Sequence, residues 1–340
     1  MAIVKFKPED FEVREVYIPH HGRSGQQNHE YFFLRKRGYT TFEAIERLVT
    51  RLDCTREDIS YAGLKDEDGI TEQLVGIASG SVPALLDLKR SGDRVEDQII
   101  LSKTHLSGPP IQIGQLIGNA FRVVIRNLDP SLSDRIETHR KCEFHFLNYY
   151  DTQRFGIPNA PKNTHLVGQR LIAQDYEGAF DILLHSGTNE ATKAEGWAGE
   201  KQAFFESLDP RICSFYYAAA ASFDWNGVIM GAIEQTNTIE KRQVHRDGIK
   251  YVFSSNATAI FNAQEAARAQ PMVRYARDNG IKPTGTEERP AVIQTRFRLV
   301  DLGPDEHHQS QLQAAFEYFL PSGCYATMAM EQFAHHLKNA

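Results

Sequence analysis

The sequence has few cysteines, and they lack the spacings that usually give cysteine a structural role. Its 340 residues contain four cysteines, and no two of them form a C-x-x-C pair. This argues against a zinc ribbon and against a disulfide framework. No apolar run approaches the roughly 18 residues of a membrane-spanning helix. Lys5 and Lys7 follow the first residue too closely for a secretory signal. We therefore expect a cytoplasmic protein with no membrane segment and no evident obligatory protein partner.

Several common catalytic motifs are also absent. The sequence contains no G-x-S-x-G, no Walker A loop and no G-x-G-x-x-G, which removes the commonest hydrolases, NTPases and dinucleotide enzymes from first consideration. Three histidine pairs suggest a metal site at first sight: His20-His21, His307-His308 and His335-His336. Adjacent residues do not share a helix or strand face, so the pattern favours surface histidines and no bound metal.

Negative charge is concentrated in one part of the chain. The formal net charge is −6, which taken alone argues against nucleic acid as a partner. Residues 171–237 carry −7, whereas residues 121–170 carry +3 and residues 238–300 carry +5. Local positive stretches matter more to a phosphate backbone than the total does. On charge alone, however, ordinary solvated faces are the favoured interpretation.

Hydrophobic periodicity predicts a mixture of strands and one early helix in the first half. Thr40 and Glu43 fit a capping box, and the apolar residues over 45–52 follow at helical spacing. Alternation or short apolar runs predict strands at 11–17, 31–34, 59–62, 70–77 and 121–125.

The predicted secondary structure changes from mainly strands to mainly helices after Gly156. Helical patterns cover residues 166–172 and 177–184, and residues 190–235 are expected to be largely helical. Strand-like alternation returns near residues 294–299. A chain of this length favours two domains, and this order of elements is typical of one domain inserted into another.

The loop that contains Asp66 is the most distinctive local feature. Gly63 and Gly69 bracket a polar segment that directly follows a predicted strand, and a tight turn of this kind can present a carboxylate to a cleft. A calcium loop does not fit, because with Gly69 at the sixth position the first ligand would be Leu64. Spacing alone favours an ordinary solvated turn.

An aromatic segment at residues 148–156 also has two interpretations. It combines tyrosines and a phenylalanine with Arg154, and such residues pack in a core or stack on bases. A role in the core and in a turn is the default, because most aromatic side chains are buried.

Seven segments, taken together and in order, resemble the TruD family of tRNA pseudouridine synthases. Each is weak alone, and they span residues 8 to 327. The segments are Pro8-Glu9-Asp10-Phe11-Glu12-Val13, Ala62-Gly63-Leu64-Lys65-Asp66 with Thr71 and Gln73, Gly118-Asn119-Ala120-Phe121, residues 148–156 ending in Gln-Arg-Phe-Gly, Thr164-His165-Leu166-Val167-Gly168, Phe261-Asn262, and residues 320–327.

The resemblance implies an α+β fold. It implies a pseudouridine-synthase catalytic core with a mixed or antiparallel sheet, formed by residues 1–155 and 297–340, and an inserted α+β TRUD domain at residues 156–296. It further implies the isomerisation of a specific uridine without a cofactor, with Asp66 as the catalytic residue. The expected partner is tRNA or another structured RNA, and the family's target is uridine 13 of tRNA.

The resemblance also implies a pocket for a flipped uracil. Its candidates are Phe11, Asn119, Phe121 and Tyr325, where the amide of Asn119 matches the polar edge of uracil and the rings stack on the base. For each of them, the structural alternative is a packed core residue.

Two cationic residues complete the expected site, and three acidic residues depart from the family pattern. Lys65 is expected to orient the loop or to contact a phosphate. Arg154 is a candidate RNA contact, although tying the Gln-Arg-Phe-Gly turn to the core is the favoured role. Glu67, Asp68 and Asp151 stand where the family has other residues, and they add negative charge close to where RNA is expected.

These departures keep two alternatives open. The same scaffold could serve an RNA-binding or RNA-folding protein without catalytic activity. A helical module for protein partners, formed by the acidic residues 171–237, is a third and weaker hypothesis.

Overall fold

A computed structural model of the chain describes residues 3–17, 28–65, 67–81, 93–96, 98–237, 240–277 and 280–339. The strands are β1 (Ile3–Val4), β2 (Phe11–Val16), β3 (His29–Arg37), β4 (Ile59–Tyr61), β5 (Ile70–Ala78), β6 (Asp93–Glu96), β7 (Ile99–Gly108), β8 (Gly118–Leu128), β9 (Lys141–Leu147), β10 (Lys241–Arg246), β11 (Ile249–Ser254), β12 (Met272–Arg277), β13 (Ile281–Glu287), β14 (Val292–Pro304) and β15 (Leu312–Pro321). The helices are α1 (Thr41–Leu52), α2 (Ser133–Thr138), α3 (Thr164–Ile172), α4 (Tyr176–Leu184), α5 (Asn189–Glu195), α6 (Lys201–Ser207), α7 (Pro210–Gln235), α8 (Ala257–Ala269) and α9 (Ala326–Asn339).

A mixed sheet dominates the fold. Within the described residues it has 11 strands in the order β6-β7-β3-β5-β2-β8-β15-β14-β9, with β1 added to β8 and β4 added to β5. The central neighbours β2 and β5 run parallel. Antiparallel pairing joins β3 to β5, β2 to β8 and β8 to β15. The predicted α+β class with a mixed sheet is therefore confirmed.

Helix α1 forms where the capping signal predicts it. Thr40 accepts a hydrogen bond from the backbone of Glu43, and the Glu43 carboxylate accepts from the backbone of Thr40 in return. The apolar face of α1 buries Ile45 and Leu48 in one cluster with sheet residues such as Val75. The capping box and the helical spacing are both confirmed.

The described chain separates into two compact units. Unit 1 comprises Met1–Phe144, Thr295–Gly323 and Leu337–Ala340, and unit 2 comprises His145–Gln294 and Cys324–His336. The functional domain boundaries expected after residue 155 and before residue 297 stay a prediction.

Unit 2 is mainly helical, as the sequence predicts for residues 190–235. Its 26-residue helix α7 contributes Trp225 to a core of aromatic and small residues. The hairpins β10–β11 and β12–β13 are not anticipated by the sequence analysis. Strand β10 reads Lys-Arg-Gln-Val-His-Arg and buries none of its residues fully, so it lacks the apolar alternation on which strand prediction depends. No helix in the described part of the chain is long and apolar enough to cross a membrane.

A buried arginine joins the two longer chain segments of unit 1, Met1–Phe144 and Thr295–Gly323. Arg126 on β8 binds Asp10 in a bidentate pair, with distances of 2.7 and 2.8 Å. It also donates to Asp305 at 3.1 Å and to Gln313 at 2.5 Å. The side chains of Arg126, Asp10 and Asp305 are at most 3 % exposed. Strand β8 is therefore tied through one guanidinium to the N-terminal segment and to the β14–β15 segment.

Hydrogen bonds to Asp305 keep its carboxylate ionised. Burial by itself would raise the pKa of Asp305, but the backbone N–H groups of Asn127 and His307 and the side chains of His308 and Arg126 all donate to it. Together they outweigh burial and hold the pKa of this carboxyl below its ordinary value.

Removal of the Arg126 guanidinium should strongly destabilise unit 1. We expect Arg126→Met to lower the free energy of unfolding by about 3–5 kcal/mol, because two carboxylates would stay buried without their cation. Arg140→Met is the matched control, since Arg140 pairs with Glu137 at the surface and its loss should cost less than about 1 kcal/mol. Urea unfolding measures both values, and equal losses would contradict the role given to Arg126.

Acid should destabilise the protein partly through Asp305. Because the pKa of Asp305 is depressed in the folded state, its contribution is complete above the unfolded pKa of about 3.9 and is lost as the pH falls through the folded pKa. Urea midpoints measured below pH 4 should therefore fall less steeply with decreasing pH in Asp305→Asn than in the wild type. An Asp134→Asn variant, changed at an exposed position, should keep the wild-type slope. Parallel slopes for all three proteins would contradict this account.

Candidate active site

The loop between β4 and β5 is held by hydrogen bonds on both sides of Asp66. Asp66 itself lies outside the described residues. On the N-terminal side, the backbone N–H of Lys65 donates to Thr41 Oγ1 at 2.9 Å, and the carbonyl of Lys65 accepts from Lys36 Nζ at 3.1 Å. On the C-terminal side, the carbonyl of Glu67 accepts from the backbone of Gly38 at 3.2 Å. The positions that flank Asp66 are thus tied to α1 and to the end of β3.

Buried polar side chains supply these hydrogen bonds. Thr41, the first residue of α1, also donates through its hydroxyl to Gln73 Oε1 at 3.0 Å. Gln73 on β5 then donates to the carbonyl of Gly63 at 3.0 Å. Thr41, Gln73 and Lys36 are each 1 % exposed. Since an unmade hydrogen bond of a buried group is costly, this network holds the backbone of Gly63 and Lys65 in place.

Lys65 forms a buried ion pair beside the loop. Its Nζ lies 2.5 Å from Glu15 Oε2, and the two side chains are 6 % and 0 % exposed. Glu15 lies near the end of β2, opposite Asn119 on β8. The predicted loop-orienting residue is therefore anchored to the central strands of the sheet.

Gly69 allows the loop to approach β2 closely. A Cβ atom at this position would lie 2.4 Å from the carbonyl oxygen of Phe11 and 3.0 Å from its ring. No side chain fits in that space without movement of the backbone. The glycine that suggested a tight turn in the sequence is thus required by a contact with a neighbouring strand.

Three buried polar atoms near this loop have no hydrogen-bond partner among the described residues. They are Glu15 Oε1, Asn119 Oδ1 and Thr71 Oγ1. Val13 lies opposite both Thr71 and Phe121 in the strand registers, and Glu15 lies opposite Asn119. Residues two apart on a strand share a face, so all these side chains project from one face of the sheet. Buried polar atoms left without partners cost about 1–3 kcal/mol each, and their grouping indicates a site for a polar ligand.

Phe11 and Phe121 project from this same face of the sheet. Their ring centroids are 5.9 Å apart, and both side chains are buried. Phe121 also stacks on Tyr318 at 5.1 Å. Both rings thus pack in the core, as the structural alternative expects, and they stand beside Glu15 and Asn119.

The other two expected site residues belong to unit 2. Arg154 donates from Nε to Ser222 Oγ at 3.1 Å, and its guanidinium lies 5.6 Å from the centre of the Tyr150 ring. Tyr325 contacts Tyr150 edge-on at 6.1 Å. Burial raises the pKa of Tyr325 to about 12, against the opposing effect of Arg154 and a second arginine, Arg289. Four of the expected residues thus lie in unit 1 with the Asp66 loop, and two lie together in unit 2.

The three acidic departures from the family pattern have different environments. Glu67 and Asp68 are exposed. Asp151 is 2 % exposed and accepts hydrogen bonds from the backbone of Thr152, from Arg246 and from the hydroxyl of Thr327. Its charge is therefore compensated inside unit 2, and only Glu67 and Asp68 present negative charge to solvent next to Asp66.

Sequence reasoning missed several residues that build this site. Thr71 and Gln73 belong to one of the family motifs, but the sequence assigns them no role. The sequence gives no signal for a role of Glu15, Thr41 or Lys36 in the site. Their partners are distant in sequence, up to 50 residues away for Lys65 and Glu15, and no local pattern marks such pairs. Within either unit taken by itself, the described residues form no group of three side chains suited to a metal ion.

Comparisons with known proteins show the family of this chain. The family model described as tRNA pseudouridine synthase D (TruD) matches residues 2–201, more than half of the chain. A tRNA pseudouridine synthase D of Geobacter sulfurreducens is 33 % identical over 207 residues, which are 60 % of this chain and 47 % of that protein. The corresponding protein of Geobacter metallireducens is 25 % identical over 328 residues, covering 83 % of this chain and 74 % of that protein.

A solved structure shows the same fold. It is the structure of a Methanosarcina mazei protein described as a tRNA pseudouridine synthase D (TruD). It superposes on this chain with a TM-score of 0.61 at 18 % identity, and the match covers 97 % of this chain and 92 % of the Methanosarcina mazei chain. In the match with the Geobacter sulfurreducens protein, the chain spans about half the length of its relative. By the match of the family model, this chain belongs to the TruD family.

Proposed function

We propose that this protein is an RNA pseudouridine synthase that isomerises a uridine of tRNA, with Asp66 as the catalytic carboxylate. One observation carries the proposal: the loop around Asp66 is held on both sides, next to a group of unpartnered polar atoms on the sheet. Membership in the TruD family supports the reaction class. The proposed target is uridine 13 of tRNA, as the resemblance implies. We propose that the reaction takes place in the cytoplasm.

The reaction is a balanced rearrangement that requires no oxidant or cofactor. The N1–C1′ bond of uridine breaks, the uracil rotates, and a C5–C1′ bond forms. C5 then loses its proton and N1 gains one. An ionised Asp66 could stabilise a cationic sugar, take a proton from C2′ or bond to C1′, and all three routes require a carboxylate at one defined position beside the ribose.

The polar atoms near the loop suit the edge of a uracil that has left its stack. Asn119 Oδ1 can accept the N3–H of uracil, and the amide N–H₂ can donate to a carbonyl oxygen. The hydroxyl of Thr71 and the free oxygen of Glu15 offer further contacts. Phe11 and Phe121 supply the apolar wall of this site. For Arg154 and Tyr325 of unit 2 we propose RNA contacts.

The buried network has a positioning role in this proposal. Thr41, Gln73 and Lys36 do not present their polar atoms to solvent, so they act through the backbone of the loop. A carboxylate displaced by about 1 Å can lose about 10²-fold in rate. The hydrogen bonds to residues 63, 65 and 67 would prevent this displacement.

Substitution of the proposed catalytic residue should abolish turnover. We expect Asp66→Asn to reduce tritium release from tRNA labelled at uridine C5 by at least about 10³-fold, because the amide is neither a base nor a nucleophile. Asp134→Asn is the matched control: this exposed carboxyl lies on α2, outside the β4–β5 loop, and its loss should change the rate by no more than about two-fold. Full release by Asp66→Asn would overturn the assignment.

The same assay separates the enzyme from a non-catalytic RNA-binding protein. The exposed Glu67 and Asp68 next to Asp66 favour this second candidate, since they would oppose the close approach of a phosphate. It predicts that the wild type binds tRNA without tritium release, whereas the leading proposal predicts release. A protein-partner role for residues 171–237 would be supported only if their deletion abolished a protein association.

Loss of the loop anchor should lower kcat without changing KM. Thr41→Val keeps the shape of the side chain but leaves the N–H of Lys65 and Gln73 Oε1 without their partner. We expect kcat for tritium release to fall by about 10- to 100-fold, because Asp66 is less well positioned. The KM for tRNA should stay near the wild-type value.

A threonine on the same helix provides the control. Thr50 is exposed, and its hydroxyl donates to the carbonyl of Glu46 within the same helix. Thr50→Val should therefore leave both kinetic constants unchanged. A rise in KM for Thr41→Val at unchanged kcat would contradict the positioning role, and thermal melting would show whether either variant is unfolded at the assay temperature.

A further inference from the structure

Arg154 is a cation of unit 2 whose terminal nitrogens form no hydrogen bond or ion pair with the described residues. Its Nε donates to Ser222, which fixes the direction of the guanidinium. Its two terminal nitrogens have no partner in the part of the chain that the structure describes. A planar guanidinium that is fixed at one end and open at the other matches two oxygens of a phosphate group.

Two cavities of unit 2 are lined by Arg154 and by its neighbour Phe215, respectively. Arg154 lines one of about 290 Å³, together with Tyr150 and Tyr275. A second cavity of about 460 Å³ is lined by Phe215 and Ile157. The ring of Phe215 lies 5.8 Å from the Arg154 guanidinium, so the two cavities have neighbouring residues in their linings.

Phe215 is unusually exposed for a phenylalanine on a long helix. It is 41 % exposed on α7, and Ile157 in the same cavity is 44 % exposed. An accessible aromatic ring directly beside an arginine is the usual platform on which an unpaired base stacks while its phosphate is bound.

The remaining charges at the two cavities largely compensate one another. Arg211 pairs with Asp209 at 2.7 Å, and Arg274 pairs with Glu287 at 2.9 Å. Of the charged residues that line the cavities, Arg154 and Glu190 have no ion-pair partner among the described residues. This environment suits one phosphate at Arg154 rather than a long polyanionic backbone.

We infer that Arg154 and Phe215 form a subsite for one unpaired nucleotide of the RNA substrate. Arg154 binds the phosphate through its terminal nitrogens, and the base stacks on Phe215. This inference rests on the proposed function in one respect only: the RNA is the substrate of the reaction.

Binding of a tRNA transcript over a range of salt concentrations tests the subsite. We expect Arg154→Ala to weaken binding several-fold and to reduce the slope of log K against log salt concentration by about one, since one phosphate contact is lost. Phe215→Ala should weaken binding by at least about five-fold without changing the slope, because stacking is not an ionic contact. Arg154→Lys should restore the slope but only part of the affinity.

Two control variants remove the same groups elsewhere. Arg268 pairs with Glu265 at the surface of unit 2, and Phe33 is 42 % exposed on β3. Arg268→Ala and Phe33→Ala should bind tRNA as the wild type does. Phe215→Leu is a further variant that preserves an apolar side chain, and it should bind as weakly as Phe215→Ala, because it lacks the flat ring.

The outcomes distinguish the subsite from the proposed function. If folded Arg154 and Phe215 variants bind tRNA with the affinity and the salt slope of the wild type, the subsite is overturned. Equal losses of affinity in the control variants would also overturn it. If the wild type releases tritium while the Arg154 and Phe215 variants bind tRNA as tightly as the wild type does, only the subsite is overturned and the proposed function is supported. Binding without release would overturn the proposed function while the variants still decide the subsite, and a wild type that does not bind tRNA would overturn both.

Discussion

The ion pairs of Arg126 are the constraint on which unit 1 depends. Strand β8 pairs with β2 on one side and with β15 on the other, so its position decides whether the two distant parts of the chain form one sheet. Arg126 binds Asp10, next to β2, and Asp305, which is 179 residues further along the chain. Because a buried guanidinium without its carboxylates is strongly unfavourable, one alignment of these segments is selected. In that alignment Glu15 of β2 lies opposite Asn119 of β8.

The loop around Asp66 depends on this sheet for its conformation. Lys65 reaches Glu15 on β2, and Gln73 on the parallel neighbour β5 holds the carbonyl of Gly63. Gly69 lies against the backbone of Phe11 at a distance that excludes any side chain. These contacts hold Gly63, Lys65 and Gly69 more firmly than the polar, glycine-rich sequence of this segment suggests. Such constraint is what a catalytic carboxylate requires, since its reactivity depends on a fixed position.

Charge acquires a different meaning once the fold is known. The net charge of −6 argued against nucleic acid, and Asp151 was expected to add to that difficulty. Asp151 is instead buried and compensated by Arg246, whereas Glu67 and Asp68 are exposed. Arg154, the cation that we propose binds a phosphate, bonds to Ser222 of helix α7 and is recognised by terminal nitrogens without a partner among the described residues, not by any basic run. Local pairing therefore decides which charges a ligand meets, and the total does not.

The local sequence determined the elements that depend on neighbouring residues. Thr40 and Glu43 predict the start of α1, because a capping box is completed within one turn. The helical patterns that follow Gly156 predict the helical middle of the chain. The ordered motifs, Lys65 and Asp66 among them, indicated the family. Tertiary structure alone decided that Glu15 pairs with Lys65, that Thr41 and Gln73 hold the loop, and that Phe11 and Phe121 are buried. These contacts join residues that are far apart in the chain, and their energies come from burial and from hydrogen bonds that no local pattern encodes.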